Sequence, residues 1–344
     1  MDQIYKEEFE SLGAFLVAAA NARYGEPDHR LQYAAAAGPE GGVGTSGGFL
    51  VPTEHAGELH DRLYATGAII SRCTTWPVTG ENFIIPMVDE KSRANGSRHG
   101  GVKMSWTLPG EEITASNPKF ASREMSRKSL KGLVYVTNEL FKDVPQLESI
   151  FTRLFSLEGA FEIENSIVNG GGAGTPLGIL NADCTIAAAA ESGQAAATIE
   201  AANVVNMFLR LWAPSRSRAV WLVNQNISPQ LYGLTWSSGT SVIPLFRWGD
   251  DGTPLLMGRP VLEVEYCSTL GTVGDIILSD LGEYIIGDPE QIAVQISEHV
   301  KFTADEAAFR FIMRVDGHPS WSSATTPLNG AATVSPFVTL ATRA

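Results

Sequence analysis

The stretch from Asp143 to Leu180, DVPQLESIFTRLFSLEGAFEIENSIVNGGGAGTPLGIL, limits the choice of fold more than any other part of the chain. Asp143 and Pro145 mark a helix start, because the N–H that proline lacks has no partner in the first turn. Leu147, Ile150, Leu154, Leu157, Phe161 and Val168 follow at three- and four-residue steps and predict one apolar stripe. From Gln146 to Val168 such a helix is roughly 35 Å long at ~1.5 Å per residue. Its expected end is Asn169-Gly170, where glycine offers the left-handed conformation of a C-cap. A Gly/Pro turn then runs into a short apolar segment. A helix this long, far from both ends of the sequence, reads as a spine lying across a sheet.

The rest of the chain, 344 residues and 36.9 kDa, suffices for one large or two ordinary domains with ample core. A net charge of −13 argues against a protein that grips nucleic-acid backbone, since that affinity comes from neutralised phosphates. No apolar run reaches the roughly 18 residues that a membrane span needs. The acidic start, MDQIYKEEFESLGAF, is unlike the basic opening of a signal peptide, so export is not expected. Cys73, Cys184 and Cys267 are odd in number and far apart, which suits reduced, isolated thiols.

In chain order, residues 1 to about 20 predict a short amphipathic helix, and Gly25–Gly48 a loose Gly-rich arm. A second helix is expected from Thr53, carrying Leu59 and Leu63. Thr74–Met87 alternates like a strand. Asp89–Pro118 is polar, Gly-rich and nearly free of periodicity. A segment of that length makes better sense as a projecting hairpin that finds its partners on another subunit. Strand returns from Lys119 to Val136 and leads to the spine. Further on, a helix near Thr198 is expected to bury Val204, Val205, Phe208, Leu209 and Trp212 and to stop at Pro214. Strands are expected at Ala219–Val223, Val261–Tyr266, on both sides of Leu281-Gly282, at Gln291–Ile296, Ala308–Val315 and Pro336–Leu340. Ser228–Leu234 reads as a short helix. The class is mixed α+β, with a second region from about 182 to 306.

Candidate chemistry does not survive inspection. Gly44-Thr45-Ser46-Gly47-Gly48 fits G-x-S-x-G, but no strand precedes it, and the nucleophile elbow works only on a strand-to-helix turn. The GGGAGTP run follows a helix instead of opening one and lacks the Gly-Lys-Ser/Thr ending of a phosphate cradle. His55 and His60 are five apart, which does not place them on one helix face, and no third imidazole is near. The seven tryptophans are scattered, so burial in core or interface is their default. No enzyme activity, cofactor or metal is expected. One charge pattern stands out in this acidic chain: Lys119, Arg123, Arg127 and Lys131 share a face at a period of two or of four. It is either a solvated strand face or a contact with an acidic neighbouring subunit, where arginine can pair bidentately with carboxylates.

Taken in order, several segments carry a resemblance. Gly47-Gly48-Phe49-Leu50-Val51-Pro52 follows the loose arm, and the long polar loop precedes Thr137-Asn138-Glu139-Leu140. The spine runs into Gly174-Thr175-Pro176-Leu177-Gly178-Ile179-Leu180. Gly258-Arg259-Pro260-Val261, Gly274-Asp275-Ile276 and the Phe311–Arg314 strand come later. Over residues 45 to 317 this set resembles the major capsid proteins of tailed bacteriophages, whose fold is shared with encapsulins.

The resemblance implies an N-terminal arm at 1–46, a peripheral domain begun at 47–80 and an extended loop at 81–122. It implies a return to the peripheral domain with the spine at 123–181, an axial domain at 182–306, and a peripheral return with a C-terminal strand at 307–344. It implies self-assembly as pentamers and hexamers into an icosahedral shell around double-stranded DNA, in a virion assembled in the host bacterial cytoplasm. Expected partners are other copies, a portal, and scaffolding or decoration proteins. Packaged DNA is expected to be touched only non-specifically, as suits an acidic wall. Expected contact residues between subunits are Lys103, Trp106, Lys119, Arg123, Arg127 and Lys131. An encapsulin-type shell is the alternative on the same fold. The chain passes almost directly into its arm, so a scaffolding segment is expected to be separate, absent or already removed. Some relatives crosslink a loop lysine to a neighbour's asparagine with a glutamate as base. Lys91 and Lys103 could donate, but Ala307–Met313 holds no glutamate, so crosslinking is not expected.

Overall fold

The computed structural model describes residues 67–77, 82–88, 90–94, 97–113, 115–137, 147–238, 241–287, 293–330 and 332–343. The arm, the helix from Thr53, Ser46, His55, His60 and the helix start at Asp143 lie outside the described residues.

The chain divides into two compact units. In the first, an antiparallel sheet has the order β14 (Ala293–Lys301), β15 (Glu306–Val315), β4 (Lys128–Thr137). Strand β15 alternates as expected, with Phe309, Met313 and Val315 buried and Arg310 exposed. Opposite its Phe311 in the ladder stands Gly132. Phe155, from the first part of α1 (Leu147–Asn169), stacks on Phe311 with ring centroids 3.5 Å apart.

The second unit is built around a seven-stranded mixed sheet. Its order is β5 (Ile186–Ala188), β17 (Phe337–Leu340), β12 (Ile276–Ser279), β6 (Val220–Val223), β11 (Arg259–Glu263), β10 (Pro254–Leu256), β9 (Phe246–Trp248). The central strands β17, β12 and β6 are buried at every position, which is why they read as unbroken apolar runs with little alternation. Trp221 on β6 is fully buried, and its indole N–H donates to Leu256 O at 2.9 Å. Helix α2 (Ala201–Arg210) and the short α3 (Ser228–Tyr232) supply Val204, Met207 and Leu231 to the same core. A reciprocal capping box opens α2: Glu200 and Asn203 each accept from the other's backbone N–H. The face of α2 is the expected one at Val204, Val205 and Phe208, but Asn203 and Met207 are also buried and Leu209 is 59 % exposed.

Three smaller sheets complete this unit. One has the order β1 (Thr74–Trp76), β13 (Tyr284–Gly287), β16 (Gly317–Pro319), and another pairs β7 (Thr235–Ser238) with β8 (Ser241–Pro244). The third is a ribbon of β2 (Asn82–Met87) and β3 (Ala121–Ser126), seated through Ile85 and Met125 against Ile285.

The spine is present, but of its expected apolar stripe Val168 is buried while the middle is not. Leu154, Leu157 and Phe161 are 53 %, 43 % and 38 % exposed, whereas Ser156, Ala160, Ile163, Ile167 and Val168 are buried. The helix stops at Asn169 as expected, but for a different reason. Gly170 is absent from the residues with positive φ. Its backbone is closely approached instead: a Cβ there would lie 2.1 Å from Pro176 O and 2.4 Å from Ser166 O. The turn closes through Gly178 N–H to Gly170 O at 2.8 Å.

Candidate functional site

Among the described residues no group of His, Cys, Asp and Glu could hold a metal, and no helix is long and apolar enough to cross a membrane. The thiols are poor nucleophiles. Burial pushes Cys184 and Cys267 up to about 12 from 9.0, and Cys73 goes higher still through burial and then the nearby Glu164.

The first surface is the loop between β2 and β3. Its base is tied down: Arg93 N–H donates to Thr326 O at 2.9 Å, and Thr326 N–H to Lys91 O at 3.0 Å. Lys119 N–H donates to Gly100 O at 2.7 Å. Beyond this base, residues 102–113 carry no regular strand and are almost wholly exposed. Leu108 N–H donates to Glu111 Oε2 at 2.9 Å across the turn at Pro109-Gly110, where Gly110 has φ +94°. Met104, Leu108 and Ile113 are strongly exposed, and Trp106 is fully exposed. Apolar side chains held out in water on an anchored loop mark a contact surface.

The second surface lies beside the first part of α1. A cleft of about 360 Å³ is lined by Leu130, Gly132, Phe155, Gly159, Phe311 and Met313. Lys131, Glu158 and Glu162 also line it, with exposed side chains. Alongside runs the exposed stripe of Leu154, Leu157 and Phe161. A third surface is an aromatic group in the second unit. Tyr232, Phe246 and Trp248 have centroids 4.8 to 5.9 Å apart, and Tyr232 and Trp248 are more than half exposed.

The expected basic stripe does not lie on one strand. At Arg127 the backbone changes ladder partner: β3 pairs with β2, whereas β4 pairs with β15 in another sheet. Lys119 is exposed at the loop base, Arg123 is half-buried opposite Ile85, Arg127 falls between the strands, and Lys131 stands opposite Ile312. A period of two read across a strand break loses its meaning. Lys103 and Trp106 are both exposed on the loop. The cleft escaped sequence reading, because its lining comes from three segments distant in sequence, β4, α1 and β15. Of the tryptophans, Trp221 is buried in the core, while Trp76, Trp106, Trp236 and Trp248 are exposed on the single chain.

The anchored, outward-reaching loop and the cleft are open surfaces of the described residues. The phage capsid family matches residues 47–330, and the chain belongs to that family. It is a shell-forming capsid protein of phage type.

Solved structures share its α+β fold. The capsid of a native GTA particle, computed with C5 symmetry, is 17% identical with a TM-score of 0.56, covering 80% of this chain and 90% of that one. A chain from Microbacterium phage Oxtober96 is 14% identical with a TM-score of 0.55, covering 80% and 91%. One from Mycobacterium phage Adephagia is 16% identical with a TM-score of 0.52, covering 80% and 89%. No curated protein matches the chain.

Proposed function

We propose that the chain is the major head protein of a tailed phage and assembles with itself, as pentamers and hexamers, into an icosahedral shell around double-stranded DNA. The observation that carries this is the loop of residues 102–113, whose Trp106 is fully exposed in the chain's own structure. Apolar side chains in water are favourable only if another molecule covers them.

Within this reading residues 182–306 supply the axial contacts, and the loop at 81–122 reaches a neighbouring copy. Lys103, Trp106, Lys119, Arg123, Arg127 and Lys131 serve contacts between subunits, now as separate loop and strand positions. The portal, scaffolding or decoration proteins and the host cytoplasm as assembly site belong to the same reading. The net charge of −13 favours a wall past which packaged DNA slides. No residue is assigned a catalytic role.

The test is nuclease treatment of particles isolated from infected cells and identified by this chain. Protected double-stranded DNA of genome length is expected. Shells that enclose a protein cargo and no DNA would replace the genome with an encapsulin-like content.

A further inference from the structure

We propose that a cleft in the second unit binds a phosphate oxyanion, with the guanidinium groups of Arg72 and Arg218 as its ligands. The site is independent of the shell reading above and adds a ligand to it. The cleft has a volume of about 380 Å³, and its lining includes Arg72, Ser217, Arg218, Asp280 and Gly282.

Arg218 is fixed before any ligand arrives. Its Nε and Nη2 donate to Asp280 Oδ2 at 3.2 and 2.8 Å, and Nη2 also donates to Glu283 Oε1 at 3.2 Å. Both carboxylates are themselves anchored. Asp280 is fully buried and its Oδ1 accepts Gly282 N–H at 3.2 Å, while Glu283 Oε2 accepts the Ser320 hydroxyl at 2.5 Å. Among the described residues nothing accepts from Arg218 Nη1, and the side chain is 58 % exposed. Two N–H donors of a rigid fork are therefore left for a ligand.

On the same cleft Arg72 is exposed and makes no hydrogen bond or ion pair among the described residues. A third cation stands beside it: Arg259 Nη1 donates to the Ser217 carbonyl at 2.5 Å. Arg72, Arg218 and Arg259 against Asp280 and Glu283 leave one positive charge in excess, within a chain of net charge −13. Two guanidinium groups on one cleft repel each other, and an anion shared by them removes that cost. Phosphate fits because its oxygens accept paired N–H donors from a planar guanidinium. A metal cation does not fit, since both carboxylates are already engaged by Arg218.

Calorimetric titration of the full chain, as unassembled subunits, with inorganic phosphate tests the site. One bound phosphate is expected. Arg72→Gln should weaken it about tenfold and leave the thermal midpoint of the free subunit unchanged, because Arg72 holds nothing in the fold. A second titration, with a short DNA duplex at several salt concentrations, separates the two sources of such a group. If backbone phosphate is the ligand, the duplex binds, and Arg72→Gln lowers the slope of log affinity against log salt by about one. If free phosphate is the ligand, inorganic phosphate alone binds in a way that depends on Arg72. Binding of neither, or no dependence on Arg72 with either, overturns the proposal.

Discussion

The Glu164 carboxylate, buried on α1, accepts the Tyr266 hydroxyl at 2.5 Å through Oε2. Its Oε1 accepts the backbone N–H of Ile69 at 2.6 Å and of Ile70 at 3.2 Å. One acidic side chain thus joins three segments of the second unit, reaching partners 94 to 102 residues away from it in sequence. Hydrogen bonds to a charged acceptor contribute roughly 1.5–3 kcal/mol each, more than neutral ones.

Removing either partner should therefore be costly, and the two losses should overlap. Glu164→Ala is expected to destabilise the subunit by about 2–4 kcal/mol and Tyr266→Phe by about 1–2 kcal/mol. The double variant should fall short of the sum by about 1 kcal/mol, read from urea denaturation of unassembled subunits. Strict additivity would mean the contact carries no energy.

Alkaline pH should unfold the chain gradually. Burial holds the Cys184 and Cys267 thiols up at about 12 against 9.0, and burial with the Glu164 hydrogen bond raises Tyr266 above 10.0. The folded state holds these protons more tightly than the unfolded state. Their stabilisation is complete below about pH 9 and is lost as pH climbs towards about 12. A thermal midpoint that falls steadily above pH 9, and less steeply in a Cys184→Ala/Cys267→Ala variant, is the expected result. A flat profile would contradict it.

The end of the chain is clamped by a buried ion pair. Arg343 donates to Asp275 Oδ2, and the same oxygen accepts Gly271 N–H at 2.9 Å. Both side chains are almost fully buried. Arg343→Ala leaves the Asp275 carboxylate short of its counter-charge and should cost about 3–5 kcal/mol. Replacing both residues with apolar ones should cost less than Arg343→Ala alone. Protease sensitivity of the C-terminal strand β17 reads the difference.

Deleting residues 102–113 should leave subunits soluble and folded, because that segment contributes almost no buried surface to its own copy. Circular dichroism and the thermal midpoint should change little, with shells failing to form. A deletion that unfolds the subunit would place the loop in the chain's own core.

Much of the fold was legible where burial is two-sided or where a helix is long. The apolar runs of β6, β12 and β17 and the end of α1 at Asn169 stood close to expectation, since local pattern determines them. The α1 stripe was legible as apolar but not as exposed. Periodicity reports which residues avoid water, and a subunit can reserve that face for another chain. Glu164 and the Asp275–Arg343 pair were not legible. Their partners lie 68 to 102 residues away, and nothing local marks a carboxylate as buried. The basic stripe misled because no residue-level signal announces that the ladder changes partner at Arg127.

Cryo-electron microscopy of the purified full chain under assembly conditions tests the central claim most directly. Closed shells, in which residues 102–113 of each copy lie against another copy, are the predicted result. A lone, compact molecule under every condition, with that loop folded back on its own surface, would contradict it.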